Sequence, residues 1–185
     1  MPPWTTVITA RLQHVQHLRR TREGNPLLEA AARSVKQHQH ARFARDYAPL
    51  LASARHGEAA RFFLDQIYGP VDFTTRDAQF ERVVPLMARV LPNEVLDTIA
   101  DLIELHALTE DLDQQMAAAL TRAEIDERSY RGAWLKVGRQ TDRERQLELL
   151  LKAGNALDRY TRSATLRATL RLMRAPARAA GLGRL

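Results

Sequence analysis

Apolar residues recur at helical spacing along almost the whole chain, and no stretch alternates with the period of two that a half-buried strand requires. That one pattern restricts the chain to an all-helical architecture. Val7, Ile8, Leu12, Val15 and Leu18 predict a first helix from about Thr5 to Arg22. Glu23-Gly24-Asn25-Pro26 reads as a stop and a start: Gly24 ends one helix, Asn25 caps the next and Pro26 suits its first turn. The second helix runs to about Tyr47, and Pro49 marks a break. A third leads into Phe62, Phe63 and Ile67 and stops at Gly69-Pro70. Thr74 caps a fourth, with Asp77 bonding back in a variant capping box and a kink expected at Pro85.

After Leu91-Pro92-Asn93, the residues Val95, Ile99, Leu102, Ile103 and Leu105 drive a fifth helix, which breaks at Thr109 or continues to Leu120. Tyr130, Trp134 and Val137 mark a sixth, ending at Gly138. Thr141-Asp142-Arg143-Glu144 has the capping-box pattern and opens a seventh through Leu147, Leu150, Leu151 and Leu157. A last helix from Ser163 carries Leu166, Leu170 and Met173. The expected fold is all-α: a single bundle of seven or eight helices over residues 1–185, with residues 1–48 as a peripheral helical hairpin.

With no cysteine, the chain has no disulfide, thiolate metal site or cysteine nucleophile. No apolar run reaches the length of a membrane span, and the N-terminus lacks a basic start followed by an apolar block, so the cytoplasm is the expected compartment. The formal net charge of +6 is unevenly spread. Residues 1–70 carry ten Lys/Arg against five Asp/Glu, residues 71–120 three against ten, and residues 121–185 fifteen against seven. An acidic centre between basic ends can absorb charge within the chain or meet a partner's.

Three constellations stand out. Phe62 to Phe80 holds four of the five phenylalanines. Phe62, Tyr68, Asp72, Phe73, Arg76 and Asp77, with His106, can line a small-molecule pocket there; the competing reading is a helix–helix corner in which the phenylalanines are core and the polar residues cap or pair. Glu94, Asp97, Asp101, Glu104 and Asp111, spaced 3, 4, 3 and 7, form an acidic stripe if the fifth helix is continuous. Arg167, Arg171, Arg174 and Arg178 form a basic one. The basic stripe suits the acidic stripe of the same chain or of a second copy, a nucleic-acid or anionic-lipid phosphate, or plain solvent.

The six histidines include no Glu-x-x-His, so no helical di-metal motif is present and no metal or other cofactor is expected. Gly-x-Gly-x-x-Gly, Walker and Gly-x-Ser-x-Gly patterns are missing too, and no catalytic residue is assigned. The leading expectation is a non-enzymatic interaction module with a protein partner or a second copy of itself. Phosphate-backbone binding and a pocket at the aromatic corner are the alternatives.

Phe62-Phe63-Leu64, Tyr68-Gly69-Pro70 with Asp72-Phe73, and Arg76-Asp77 resemble the signature of a family of small bacterial helical proteins of unknown function. Glu104-Leu105-His106-Ala107-Leu108, Gly138-Arg139 with Asp142-Arg143, and the segment from Leu170 to Arg178 carry the likeness further, over roughly residues 62–182. The resemblance implies an all-helical fold and chain continuing beyond Leu185, and it implies no activity, cofactor or site residue.

Overall fold

The computed structural model describes residues 3–67, 91–120 and 125–164, together with Asp77, Phe80, Val84, Met87, Arg89, Ala168 and Arg171. Every regular element among the described residues is helical. In chain order these are α1 (Pro3–Glu23), α2 (Pro26–Asp46), α3 (Ala48–Leu51), α4 (Gly57–Phe62), a π-helical turn (Phe63–Ile67), α5 (Asn93–Ala119), α6 (Glu127–Val137) and α7 (Gln140–Arg162). Asp77, Phe80, Val84, Met87 and Arg89 also have helical backbone. The stop at Gly69, the cap at Thr74 and the kink at Pro85 lie outside the described residues.

Local chemistry sets the boundaries. The Asn25 side chain accepts a hydrogen bond from the Leu28 N–H at 3.1 Å, with Pro26 in the first turn of α2. α6 starts earlier than its apolar residues predict, because Asp126 and Ser129 form a reciprocal capping box. The Ser129 N–H donated to the exposed Asp126 carboxylate holds that group below its usual pKa. Gly138 ends α6 with φ of 60°, a conformation that disfavours side chains, and its N–H donates to the Trp134 carbonyl. α7 begins at Gln140, so Thr141 lies inside the helix and is not its cap. α5 is one unbroken helix through Thr109.

The chain groups into two compact units, each assembled from separated segments. The first comprises Met1–His14, Phe73–Leu108 and Gln140–Leu185. The second comprises Val15–Asp72 and Thr109–Arg139. Residues 1–48 contribute to both, and two of the unit boundaries fall within α1 and α5.

The core of the first unit joins Trp4, Ile8 and Leu12 of α1 to Val84, Leu91, and Leu96 and Ala100 of α5, with Tyr160 of α7 packed against it. Three polar side chains of α7 fix it antiparallel to α5. The Tyr160 hydroxyl bonds the Glu94 carbonyl and Thr98 Oγ1, both at 2.8 Å; Lys152 meets Asp101 at 2.7 Å; Arg145 reaches Glu104 at 3.1 Å. The core of the second unit joins Ala31, Ala32 and Val35 of α2 to Met116 and Ala117 of α5 and Tyr130 and Ala133 of α6.

Candidate interaction face

α7 carries two apolar seams. Leu149, Ala153 and Ala156 are buried, and Tyr160 continues them at spacings of four and three. A second seam follows the same 3–4 rhythm through Leu147, Leu150, Gly154 and Leu157, with Leu151 alongside. At about 100° per residue it is rotated well away from the first, and it faces out. Leu147 is 56% exposed, Leu150 37%, Leu151 60% and Leu157 45%. A Cβ built on Gly154 would meet nothing within 4 Å, so the middle of the seam is an open, shallow ledge. Single exposed leucines are ordinary, but four positions in heptad register on one helix are the pattern by which helices pack on one another. The polar flank of α7 is occupied within its own unit: Arg145 bonds Glu104 and Glu148, which push its pKa further up, and Lys152 bonds Asp101.

The second unit holds the opposite anomaly, charges in the interior. Arg22 of α1 and Glu110 and Asp113 of α5 are all at most 5% exposed. Arg22 donates to Glu110 at 2.9 Å and to Gln114 at 3.2 Å, and its Nε faces Glu29 at 3.3 Å. Lys36 of α2 donates to the other oxygen of Glu110. Gln39 donates to Asp113 at 3.0 Å and to the Tyr130 hydroxyl at 3.3 Å. Above Tyr130, His38 stacks at 4.7 Å and the Arg42 guanidinium lies 5.3 Å from the ring centre.

Two cations thus face Glu110 and Glu29, while Asp113 receives its hydrogen bond from neutral Gln39. Burial pushes the Asp113 pKa up to about 6, against the opposing pull of Lys36 and the Gln39 bond. The network is closed on itself, with each charge hydrogen-bonded, as buried charges must be to persist.

The residues singled out from sequence fall in several places. Phe62 is 60% exposed, whereas Leu64 is buried; two residues apart on a helix are about 200° apart, so burying one turns the other outward. Phe62 therefore does not belong to the core that the helix-corner reading gave it. Tyr68, Asp72, Phe73 and Arg76 lie outside the described residues. Asp77 and His106 come together, with His106 Nε2 3.0 Å from Asp77 Oδ2 and both side chains largely buried.

Of the acidic stripe, Asp101 pairs with Lys152, Glu104 with Arg145 and with Arg11 at 3.9 Å, and Asp111 with Arg139. Glu94 and Asp97 are exposed. Arg171 is exposed, and Arg167, Arg174 and Arg178 lie outside the described residues. Among the described residues, no three His, Asp or Glu side chains group as metal ligands would.

The internal network is absent from the sequence expectations, although a signal for it exists. Arg22 follows Val15 and Leu18 at spacings of three and four, and Glu110 and Asp113 sit between Ala107 and Ala117 on a buried stripe. Polar residues that occupy the next position of an apolar stripe are candidates for buried pairs. The second seam of α7 is legible in the same way, from two interleaved sets of heptad spacing in one helix.

Together these features define a class: an all-helical protein of amphipathic helices with a sealed polar interior and an open apolar seam. No described helix is long and apolar enough to cross a membrane. The chain belongs to the family described as Domain of unknown function (DUF8198), whose model matches residues 18–185. This agrees with the resemblance at the level of an uncharacterised family. No curated protein and no solved structure matches the chain.

Proposed function

We propose that this protein is a non-enzymatic helical interaction module that docks another protein helix in the open seam of α7. The observation that carries the reading is the heptad run Leu147, Leu150, Gly154 and Leu157, left exposed on a helix whose other seam is buried. A second helix packed there would remove those leucines from water, and each buried methylene contributes about 0.8 kcal/mol. The acidic stripe is a weaker docking surface, because Asp101, Glu104 and Asp111 already have cationic partners within the chain. A cysteine-free chain is at home in the cytoplasm.

A photo-crosslinking amino acid placed at Leu147 in producing cells tests the reading. A discrete protein adduct is expected, lost when Leu150→Lys and Leu157→Lys are added and missing when the label sits at exposed, polar Asp97. No adduct at Leu147, or an adduct indifferent to the lysines, overturns it.

A further inference from the structure

The second unit carries a helix that is complete in itself and thinly attached. α6 is capped at both ends by its own residues: the Asp126–Ser129 box at the start, and the Gly138 N–H on the Trp134 carbonyl at 3.0 Å at the end. It brings Tyr130 and Ala133 to a buried core shared with Ala31, Ala32 and Val35 of α2 and Met116 and Ala117 of α5, with Val137 partly buried beside them. Four of those seven core residues are alanines, so little apolar area holds α6 in place.

The polar ties run through Tyr130. Its hydroxyl accepts from the Gln39 amide at 3.3 Å, and the same amide nitrogen donates to Asp113 at 3.0 Å. Its ring stacks on His38 and lies under the Arg42 guanidinium. His38 Nε2 is buried without a hydrogen bond, 3.5 Å from Glu127 Oε2 of α6. Behind Tyr130, Arg22 and Lys36 face Glu110 and Glu29, and the further carboxyl of Asp113 meets neutral Gln39. Glu110, one turn earlier on α5, opposes ionisation of Asp113; Lys36 and Arg22 favour it from a distance.

We propose that α6 is a pH-sensitive strap, closed over α2 and α5 while Asp113 keeps its proton and released more often once Asp113 ionises. With Asp113 protonated, two internal cations balance two carboxylates. Loss of the proton adds a third carboxylate in a place closed to water. Lifting α6 takes Tyr130 off Gln39 and admits water to that carboxylate, with only a thin apolar contact to lose. A hinge is present at the end of the strap. Gly138 and Arg139 both have positive φ, 60° and 53°, and Arg139 is a non-glycine residue held in the left-handed region. Arg139 is tied to Asp111 of α5, so the chain can turn at Gly138 while the next residue stays fixed.

The direction follows from where the proton is held. The Asp113 pKa is about 6 with the strap closed, against an ordinary 3.8 in water, so closing takes up a proton. The strap is tightest below about pH 4 and loosens as pH rises through about 6.

Amide hydrogen exchange of the whole chain, read by mass spectrometry and corrected for the intrinsic pH dependence of exchange, measures the opening of each helix. α6 should open more often than α2 and α5 at every pH, because it opens without them. Its opening should be about tenfold more frequent at about pH 7.5 than at about pH 5, as the two pKa values require. Asp113→Asn should remove that rise. Gln39→Lys, which gives Asp113 a cation, should remove it with the carboxyl still in place, and carries the test if Asp113→Asn does not fold. Opening of α6 that is as rare as that of α2 and α5 would mean the unit opens as one body and overturns the strap. An α6 opening that is flat with pH, or a rise that survives both substitutions, overturns Asp113 as its trigger.

Discussion

The buried charge network of the second unit and the open seam of α7 in the first are inverses. One places Arg22, Glu110 and Asp113 where apolar residues belong; the other places Leu147, Leu150 and Leu157 where polar residues belong. The first is complete within its own unit, since each cation meets a carboxylate and Asp113 meets Gln39. The second is incomplete, because these leucines stay in contact with water. An anomaly that is satisfied locally explains how a fold is specified; one left unsatisfied points to a partner. The same contrast separates Leu149 from Leu150, adjacent residues of which one is fully buried and the other is not.

Breaking the closed side should have the largest effect. Glu110→Ala leaves Arg22 and Lys36 buried against no carboxylate at their centre, and a loss of about 3–5 kcal/mol in urea unfolding is expected. A loss under about 1 kcal/mol would mean the network is wet and loosely held. Next comes the leucine pair. Leu149→Ala should cost about 2–5 kcal/mol, and Leu150→Ala under about 1 kcal/mol in the monomer. Equal costs by calorimetry would erase the distinction between the two seams.

Asp113 sharpens the comparison through pH. Its pKa is about 6 in the folded chain against an ordinary 3.8, so the folded state holds the proton more tightly than the unfolded one. The contribution is therefore fully favourable below about pH 4 and is lost as pH rises through about 6, on the order of 3 kcal/mol across that window. Asp113→Asn keeps an oxygen for Gln39 and removes the titration. The variant should gain on the wild type as pH rises from about 4 to 7 and hold its lead above that. Parallel melting-temperature curves for the two proteins would contradict the burial account. The smallest effect belongs to the rim of α7: Lys152→Ala should cost under about 1 kcal/mol, and the difference should shrink in high salt, because Lys152 is mostly exposed beside Asp101.

How far the sequence alone reaches follows the same division. Helical class and most helix boundaries are legible because Gly24-Asn25-Pro26, Pro92-Asn93 and Gly138 punctuate the periodicity by backbone chemistry that acts locally. The start of α6 escapes a reading of apolar spacing because Asp126 and Ser129 cap it ahead of its apolar residues. The acidic stripe does lie on one helix, but its partners are not legible in it. Pairing of Asp101 with Lys152 and of Glu104 with Arg145 follows from α7 lying antiparallel to α5, which is tertiary information. Burial of Glu110 depends on Arg22, distant along the chain, so spacing within α5 can only flag it. The aromatic corner draws attention by composition, yet Phe62 faces out, and of the polar residues grouped with it Asp77 pairs with His106.

The most direct measurement is photo-crosslinking from Leu147 in producing cells, with and without Leu150→Lys and Leu157→Lys. A discrete protein adduct should form from the chain labelled at Leu147 and be lost from the variant, with an undiminished helical circular dichroism signal. An adduct of equal yield from both chains, or none from either, would contradict the claim that the open seam of α7 is where this protein docks a partner helix.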